Sequence, residues 1–460
     1  MFKSIPILKS IGPAIVVAAV VLGPGSILTS SKVGATFGLL GVPVIIGAVI
    51  LMIAMVALSA RLGAVYENSL CDELTNRLGR PVAVFIGLVL FILVAIFQSS
   101  NNVALVGGIE PLLGDTPLTN GTKIGVLFLT NIFVITILYT LRSLYKSIES
   151  VMKVLMALMG IAFLVNFVVI FLAERSFTPV PPTEEQDLIP LLGMIGTTFS
   201  VGGAFYQAYL VKEKNWGLAE VREGVIDSIV SISVLGIVTM IILLTSWRVF
   251  YGNPDPVTLK SVGDVALQLE PTFGAAGKAI FCLGIFAGAI SSFLVNAMIG
   301  GTVMSDSMGK GSKLSDGWPL HMTTAALVTG MVVAFAGLLT KGSTVHLITL
   351  AQACVVIGIP ALGLALIYLG TRPELQGERK VPTIIIALAI VGFIVSCGLA
   401  YLLADKIYNK LMPAEKAVSV EPEPVENPAG QADQSDQSDQ SDQSDQSDQP
   451  DQPDQPDQPN

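Results

Sequence analysis

The chain has 460 residues, of which 52% are hydrophobic and only 13% charged, and its mean hydropathy is +0.70. A soluble chain of this length would divide into two or three domains with polar surfaces, so these values exclude that class. The formal charge of −9 misleads. Residues 413–460 carry 13 acids and one lysine, a balance of −12, which leaves the remainder at +3 with no basic stripe of the kind that binds nucleic acid.

Apolar stretches of about 20 residues recur along the chain, the length that crosses a bilayer core. Eleven are predicted, over roughly 11–35, 41–65, 82–108, 122–141, 150–173, 188–211, 224–247, 275–304, 320–339, 345–369 and 382–404. The expectation is an all-α, polytopic membrane protein with about 11 transmembrane helices. It occupies residues 1–412 as a transmembrane domain, followed by a tail over 413–460. The first span has no small-residue cleavage site, and its apolar run continues past its Gly-Pro-Gly sequence, so it is predicted to be retained rather than removed as a signal.

That first span is interrupted by Gly23, Pro24 and Gly25, and the sixth by Gly202 and Gly203, about 178 residues later. Two interrupted helices in matching positions of two halves point to a secondary transporter with its site near the bilayer midplane. A break frees carbonyls and amides in mid-membrane, which is tolerable only where it is buried in protein or lines a cavity. The alternative is that glycine and proline merely allow close helix packing. Near the breaks stand Ser26, Thr29, Thr197 and Ser200, with no carboxylate, histidine or methionine.

Span three adds a polar run, with Gln98, Ser99 and Asn102 as candidates to line a pathway, and span ten adds Gln352. Such a run needs a wet or protein-facing surface, or else serves as hydrogen-bonding glue between helices. Lys32 lies nine residues past Gly23, roughly 13 Å along a helix axis. It either faces the pathway, where it would repel cations, or snorkels to the headgroups.

With the N-terminus placed inside, the predicted inner connections hold 15 Lys and Arg and the outer ones 9. The bias predicts a cytoplasmic N-terminus, in the cell (inner) membrane. Within the tail, residues 431–460 repeat Ser-Asp-Gln and then Pro-Asp-Gln with almost no apolar content, a composition that cannot offset ordering entropy; the segment is predicted to be disordered. The four cysteines form no C-x-x-C pair, only two histidines occur, and no nucleophile–base pair or phosphate loop is present. Neither an enzyme nor a cofactor is expected. The predicted partners are the bilayer and a small transported solute or ion.

Several segments resemble Nramp-type divalent-metal transporters. Gly12-Pro13-Ala14, the run Gly23-Pro24-Gly25-Ser26 and Val33 to Gly38 are similar to that family's first helix. Leu58 to Gly63, followed by Asp72-Glu73-Leu74 and Arg77, resembles its second helix and inner loop. Gly196-Thr197-Thr198, Ile226-Asp227-Ser228, Gly288 with Ser291-Ser292, and Ala351-Gln352 with Ile359-Pro360 follow in order. The likeness implies a LeuT-like five-plus-five inverted repeat with discontinuous helices 1 and 6. Repeat one would cover about 10–174, repeat two about 188–370, and an extra helix about 382–404. It also implies proton-linked uptake of Mn²⁺ or Fe²⁺ by alternating access.

The departures fall at the positions that the resemblance makes functional. Gly23 and Ser26 replace the family's aspartate and asparagine, Ser200 its methionine, and Gly202 a histidine two places on. Ser99 and Asn102 replace acids implicated in proton movement. A divalent ion at midplane depth needs charge compensation. Hydroxyl, amide and carbonyl oxygens suit a hard ion that keeps its waters, and losing a thioether removes selection for softer metals. The expected site residues, for a metal as for any other cargo, are Gly23, Ser26, Thr197, Ser200 and Gln352. The expectation is a transporter of a metal cation, a hydrated Mg²⁺-like ion rather than Mn²⁺ or Fe²⁺. A neutral or zwitterionic small solute, and a non-transporting sensor with the same fold, stand as alternatives.

Overall fold

A computed structural model describes residues 12–114, 118–140, 161, 163–175, 177–180, 186–255, 257–313, 316–339 and 343–411. The tail, half of predicted span five, and the region around Lys153 lie outside them. The described residues are helical, without strands. Among the described residues nine helical segments are long and apolar enough to cross a membrane, and the first of these, Pro24–Val65, joins predicted spans one and two through a short turn. A shorter apolar helix, Phe163–Leu172, falls within predicted span five.

In chain order the principal helices are α1 (Ala14–Val21), α2 (Pro24–Phe37), α3 (Gly41–Val65), α4 (Leu70–Leu78) and α5 (Arg80–Leu113). Then come α6 (Asn120–Thr140), α7 (Phe163–Leu172), α8 (Ile189–Thr198), α9 (Val201–Glu213) and α10 (Val221–Phe250). The last are α11 (Ala275–Ser307), α12 (Gly317–Leu339), α13 (Thr344–Cys354), α14 (Ile359–Gly370) and α15 (Thr383–Leu411). The pairs α1/α2 and α8/α9 are the broken first and sixth helices of a five-plus-five inverted repeat. The first unit of each five is split, and α15 is added after the tenth.

Burial follows position in the bundle. Every residue of α1 is buried, as are most of α8 and α9. In α15, by contrast, Ile384, Ile394 and Tyr401 are exposed, as expected of a helix whose outer face meets lipid. The broken helices therefore form the centre. α2 packs on α8 and α10, α13 packs on α8 and α5, and α5 runs along α11 in the most extensive helix pair among the described residues.

A third irregularity was not foreseen. Predicted span ten is α-helical to Cys354, tightens to a 3₁₀ turn over Val355–Gly358, and resumes as α14. The cause is Pro360, which has no amide to give the Val356 carbonyl; Ile359 N–H bonds that carbonyl instead, one residue earlier than an α-helix would.

Candidate functional site at the helix breaks

The first break is made by three consecutive residues. Leu22 leaves helical geometry at ψ 37°, its amide still bonded to the Ala18 carbonyl at 3.0 Å. Gly23 is extended, with φ −80° and ψ −179°, and its carbonyl accepts the first bond of α2 from Ile27 N–H at 3.2 Å. Pro24 then starts α2 at the one helical position where a missing amide costs nothing. Pro24 and Gly25 were expected within the break; they form the first turn of the helix after it.

The second break lies earlier than expected. α8 ends at Thr198, Phe199 and Ser200 are non-helical, and α9 begins at Val201. Gly202 and Gly203 are inside α9, so they do not break the helix. They permit close packing instead, since a Cβ at Gly202 would come within 2.8 Å of Leu90 Cδ1 and one at Gly203 within 3.2 Å of Val17 Cγ1. Glycine tolerates extended backbone but does not require it, and neighbouring contacts override its weak helix propensity.

Around the two breaks the side chains are neutral. A Cβ at Gly25 would overlap the Gln352 side chain, so the amide of α13 lies directly on the backbone of the first turn of α2. Gln352 Nε2 donates to Ser100 Oγ of α5 at 2.7 Å, while its Oε1 is buried with no partner. A Cβ at Gly196 would stand 2.6 Å from the Gln352 carbonyl, which brings α8 against the same residue. Ser26 Oγ, in the first turn of α2, is also buried and without a partner, as is Thr198 Oγ1 at the end of α8. On the α11 side Ser292 Oγ approaches the Val20 carbonyl at 3.4 Å and occupies the space that a Gly23 side chain would need. Ser200, at the start of α9, is 9% exposed, which makes it the least enclosed of these hydroxyls.

The structure thus brings Gly23, Ser26 and Gln352 to one place, with Ser200 and Thr197 at the second break. Thr197 Oγ1 donates to the Met194 carbonyl at 2.9 Å, which spends its proton but leaves its oxygen lone pairs. Thr29 Oγ1 likewise donates back to the Gly25 carbonyl at 2.7 Å.

The polar run of α5 divides. Gln98 Nε2 donates to the Phe293 carbonyl at 2.7 Å and Gln98 Oε1 accepts from Asn101 at 3.0 Å. Asn102 donates to the Gln98 carbonyl at 2.9 Å and accepts from Asn131 of α6 at 2.7 Å. Both groups bind helix to helix, the glue reading rather than the pathway one. Ser99 donates to Ile96 and lines a cavity of about 230 Å³ with Ser100 and Ala351. Ser100, two positions after Gln98, is the residue of the run that reaches Gln352. Lys32 is half-buried and lines a cavity at the far end of α2.

Two buried carboxylates escaped sequence reasoning as structural elements. Asp227 of α10 accepts the amides of Gly12 and Ala14 at 2.7 and 2.8 Å, capping α1 from 213 residues away or more. Asp306 of α11 accepts from Tyr209 at 2.7 Å. Neither reaches the breaks. Asp227 holds the end of α1 opposite Gly23, roughly 12 Å along that helix, and Asp306 is 14 residues beyond Ser292, roughly 21 Å along α11. Among the described residues no group of three His, Cys, Asp or Glu could hold a metal ion.

Comparison with known proteins agrees with this layout. The family described as "Natural resistance-associated macrophage protein-like" (Nramp) matches residues 14–404. A divalent metal cation transporter MntH from Acidiphilium cryptum is 25% identical over 413 residues, covering 87% of this chain and 91% of that protein. One from Yersinia pestis is 24% identical over 382 residues, 81% and 88% of the two chains. Among solved structures, the Eremococcus coleocola manganese transporter in complex with an aromatic bis-isothiourea compound superposes with a TM-score of 0.69 at 17% identity, covering 89% of this chain and 90% of that one. Mhp1, a nucleobase-cation-symport-1 family transporter with bromovinylhydantoin bound, superposes at 0.53 and 11% identity, covering 88% and 93%. With the family match spanning most of the sequence and a fold broken at the first and sixth helices, this chain is a member of the Nramp family.

Proposed function

We propose that the protein is a secondary transporter that carries a metal cation across the membrane, and that its site selects a hard, hydrated, Mg²⁺-like ion over Mn²⁺ or Fe²⁺. The named transport activity of its relatives supports the metal. The observation that carries the selectivity is the neutral oxygen set at the breaks, with buried and unpartnered Ser26 Oγ and Gln352 Oε1 and, among the described residues, no group of three His, Cys, Asp or Glu that could hold a metal ion.

Charge arithmetic supports a hydrated cargo. The C-terminal ends of α1 and α8 meet the breaks, and each helix end is worth about half a negative charge. Together they supply about −1 toward a +2 ion, so an ion stripped of water would be under-compensated in a low-dielectric site. Mg²⁺ dehydrates reluctantly and suits oxygen ligands. Without an acid or histidine at the breaks, transport proceeds without a proton carried through that site.

The same arithmetic favours a second reading. The N-terminal ends of α2 and α9 supply about +1 beside that −1, which matches a zwitterionic small solute in both signs.

Flux into proteoliposomes tests both. Mg²⁺ uptake that exceeds Mn²⁺ uptake, with no acidification reported by an internal pH dye, is the expected result. Amino-acid flux without Mg²⁺ flux establishes the second reading, and binding without flux of either establishes a sensor. A gain-of-function series is a separate check. Gly23→Asp with Ser200→Met, made together with Ser292→Ala to clear the space above Gly23, should raise Mn²⁺ affinity by roughly tenfold or more in calorimetry. Unchanged affinity in the folded triple variant removes the assignment of these positions as cargo ligands.

A further inference from the structure

At the end of α2 away from the break lies a cavity of about 740 Å³ whose charged lining is basic. Lys32, Lys260 and His346 line it, together with the neutral groups of Gln186, Asn253 and Thr258, and no carboxylate occurs among its described lining residues. The Lys and Arg count predicts this face to be the outer one.

The backbone that carries Lys260 is held. Lys260 is fixed through its backbone: its carbonyl accepts from Ser343 Oγ at 2.6 Å and Val345 N–H at 3.1 Å, and its amide donates to Asp264 Oδ2 at 3.0 Å. The loop before α11 is thereby stitched to the start of α13, the helix that carries Gln352. Lys32 projects from the middle of α2, one turn beyond Thr29 at i+3. Two acids adjoin this lining without forming part of it: Asp264 accepts the Lys260 amide, and Asp187 pairs with Lys406 at 2.8 Å and accepts the Ile189 amide at 3.1 Å.

A basic antechamber is the wrong sign for free cations. Two ammonium groups repel them at the mouth, where screening acts only beyond roughly 8 Å. The same groups attract an anion of small-molecule size, and the neutral amides and hydroxyl around them are suited to carboxylate oxygens.

We propose that this cavity is a binding subsite for a small carboxylate-bearing solute, free or as a metal chelate, which meets Lys32 and Lys260 before anything reaches the helix breaks. The subsite accounts for how a chain without acids at its centre accepts a positively charged cargo: the negative charge arrives with the solute. That account rests on the proposed metal cargo, whereas binding of the carboxylate at the cavity is measured separately from it.

The test is calorimetry on the full chain in nanodiscs, with citrate, Mg²⁺–citrate and the dication putrescine as probes. Citrate or its chelate should bind, putrescine should not, and binding should weaken as ionic strength rises. Binding of citrate alone identifies the free carboxylate as the source, and binding confined to Mg²⁺–citrate identifies the chelate. Lys32→Gln with Lys260→Gln should lower affinity roughly tenfold or more, and Lys32→Arg with Lys260→Arg should retain it, which separates lost charge from lost folding. Glu184→Gln with Glu185→Gln, at positions adjoining Gln186 in the sequence, should leave binding equal or tighter. Failure of both citrate forms to bind, putrescine binding as well as citrate, or unchanged citrate affinity in the double Gln variant overturns the proposal. Mg²⁺ flux from chloride solution, followed in the same variants, reports on the central site separately.

Discussion

At Gly25 the absence of one methyl group sets how far Gln352 can reach toward the first break. Because an added Cβ would overlap the Gln352 amide, Gly25→Ala must push that side chain away and lose its bond to Ser100. Overpacking of this kind costs about 1–3 kcal/mol. Thermal unfolding in detergent should show it, and a double-mutant cycle with Gln352→Ala should recover part of the loss, because the clash is removed with the side chain. Full additivity of the two changes would place the Gly25 effect elsewhere. Asp227 makes a different residue-scale prediction. Its carboxylate satisfies two amides at the start of α1, so Asp227→Ala leaves both buried and unpaired, at about 1–2 kcal/mol. Hydrogen exchange at Gly12 and Ala14 should accelerate while exchange in α5 stays unchanged.

Among the elements, the short helix α4 is tied to the connection after α14. Arg77 bonds Glu73 within α4 and reaches Glu374 at 2.6 Å, and its guanidinium lies 5.1 Å from the Tyr66 ring. The Arg77 hydrogen bond holds the Glu374 carboxyl below its ordinary range. A carboxyl with a depressed folded pKa contributes stability above its unfolded value and loses it as pH falls through the folded one. Acidification from about pH 5 to about pH 3 should therefore loosen α4, read as faster exchange over residues 70–78. Glu374→Gln should abolish that step. At α13 and α14, Pro360→Ala restores an amide at the site of the 3₁₀ turn. Amide exchange at residue 360 should then be protected, as it would be in a continuous helix, and cargo affinity should fall as Gln352 turns with its helix.

For the molecule as a whole, charge partition carries the prediction. The tail holds a balance of −12 and the remaining chain +3. Removing residues 413–460 should therefore change the isoelectric behaviour strongly while leaving flux and melting temperature unaltered. A change in either would give the tail a role beyond solvation. Local signals made the spans legible, since hydropathy over 20 residues is a property of neighbours in sequence. The same holds for the Gly-Pro break, because a proline beside two glycines interrupts a helix locally, and for the lack of acids at the centre, which is a matter of residue types alone. Other features depend on residues far apart. The second break stands at Phe199 and Ser200 because α9 packs its glycines against Val17 and Leu90, and nothing near Gly202 announces this. Gln98 and Asn102 read as pathway residues until the carbonyl of Phe293 and the amide of Asn131 are seen to consume them. Ser100, Ser292 and Asp227 acquire their roles from partners 252, 272 and more than 200 residues distant. Hydropathy and chain-breaking residues act within one helix. The pairing of one helix with another is fixed by inverted packing of two halves, and sequence order carries no record of which side chains that packing brings into contact.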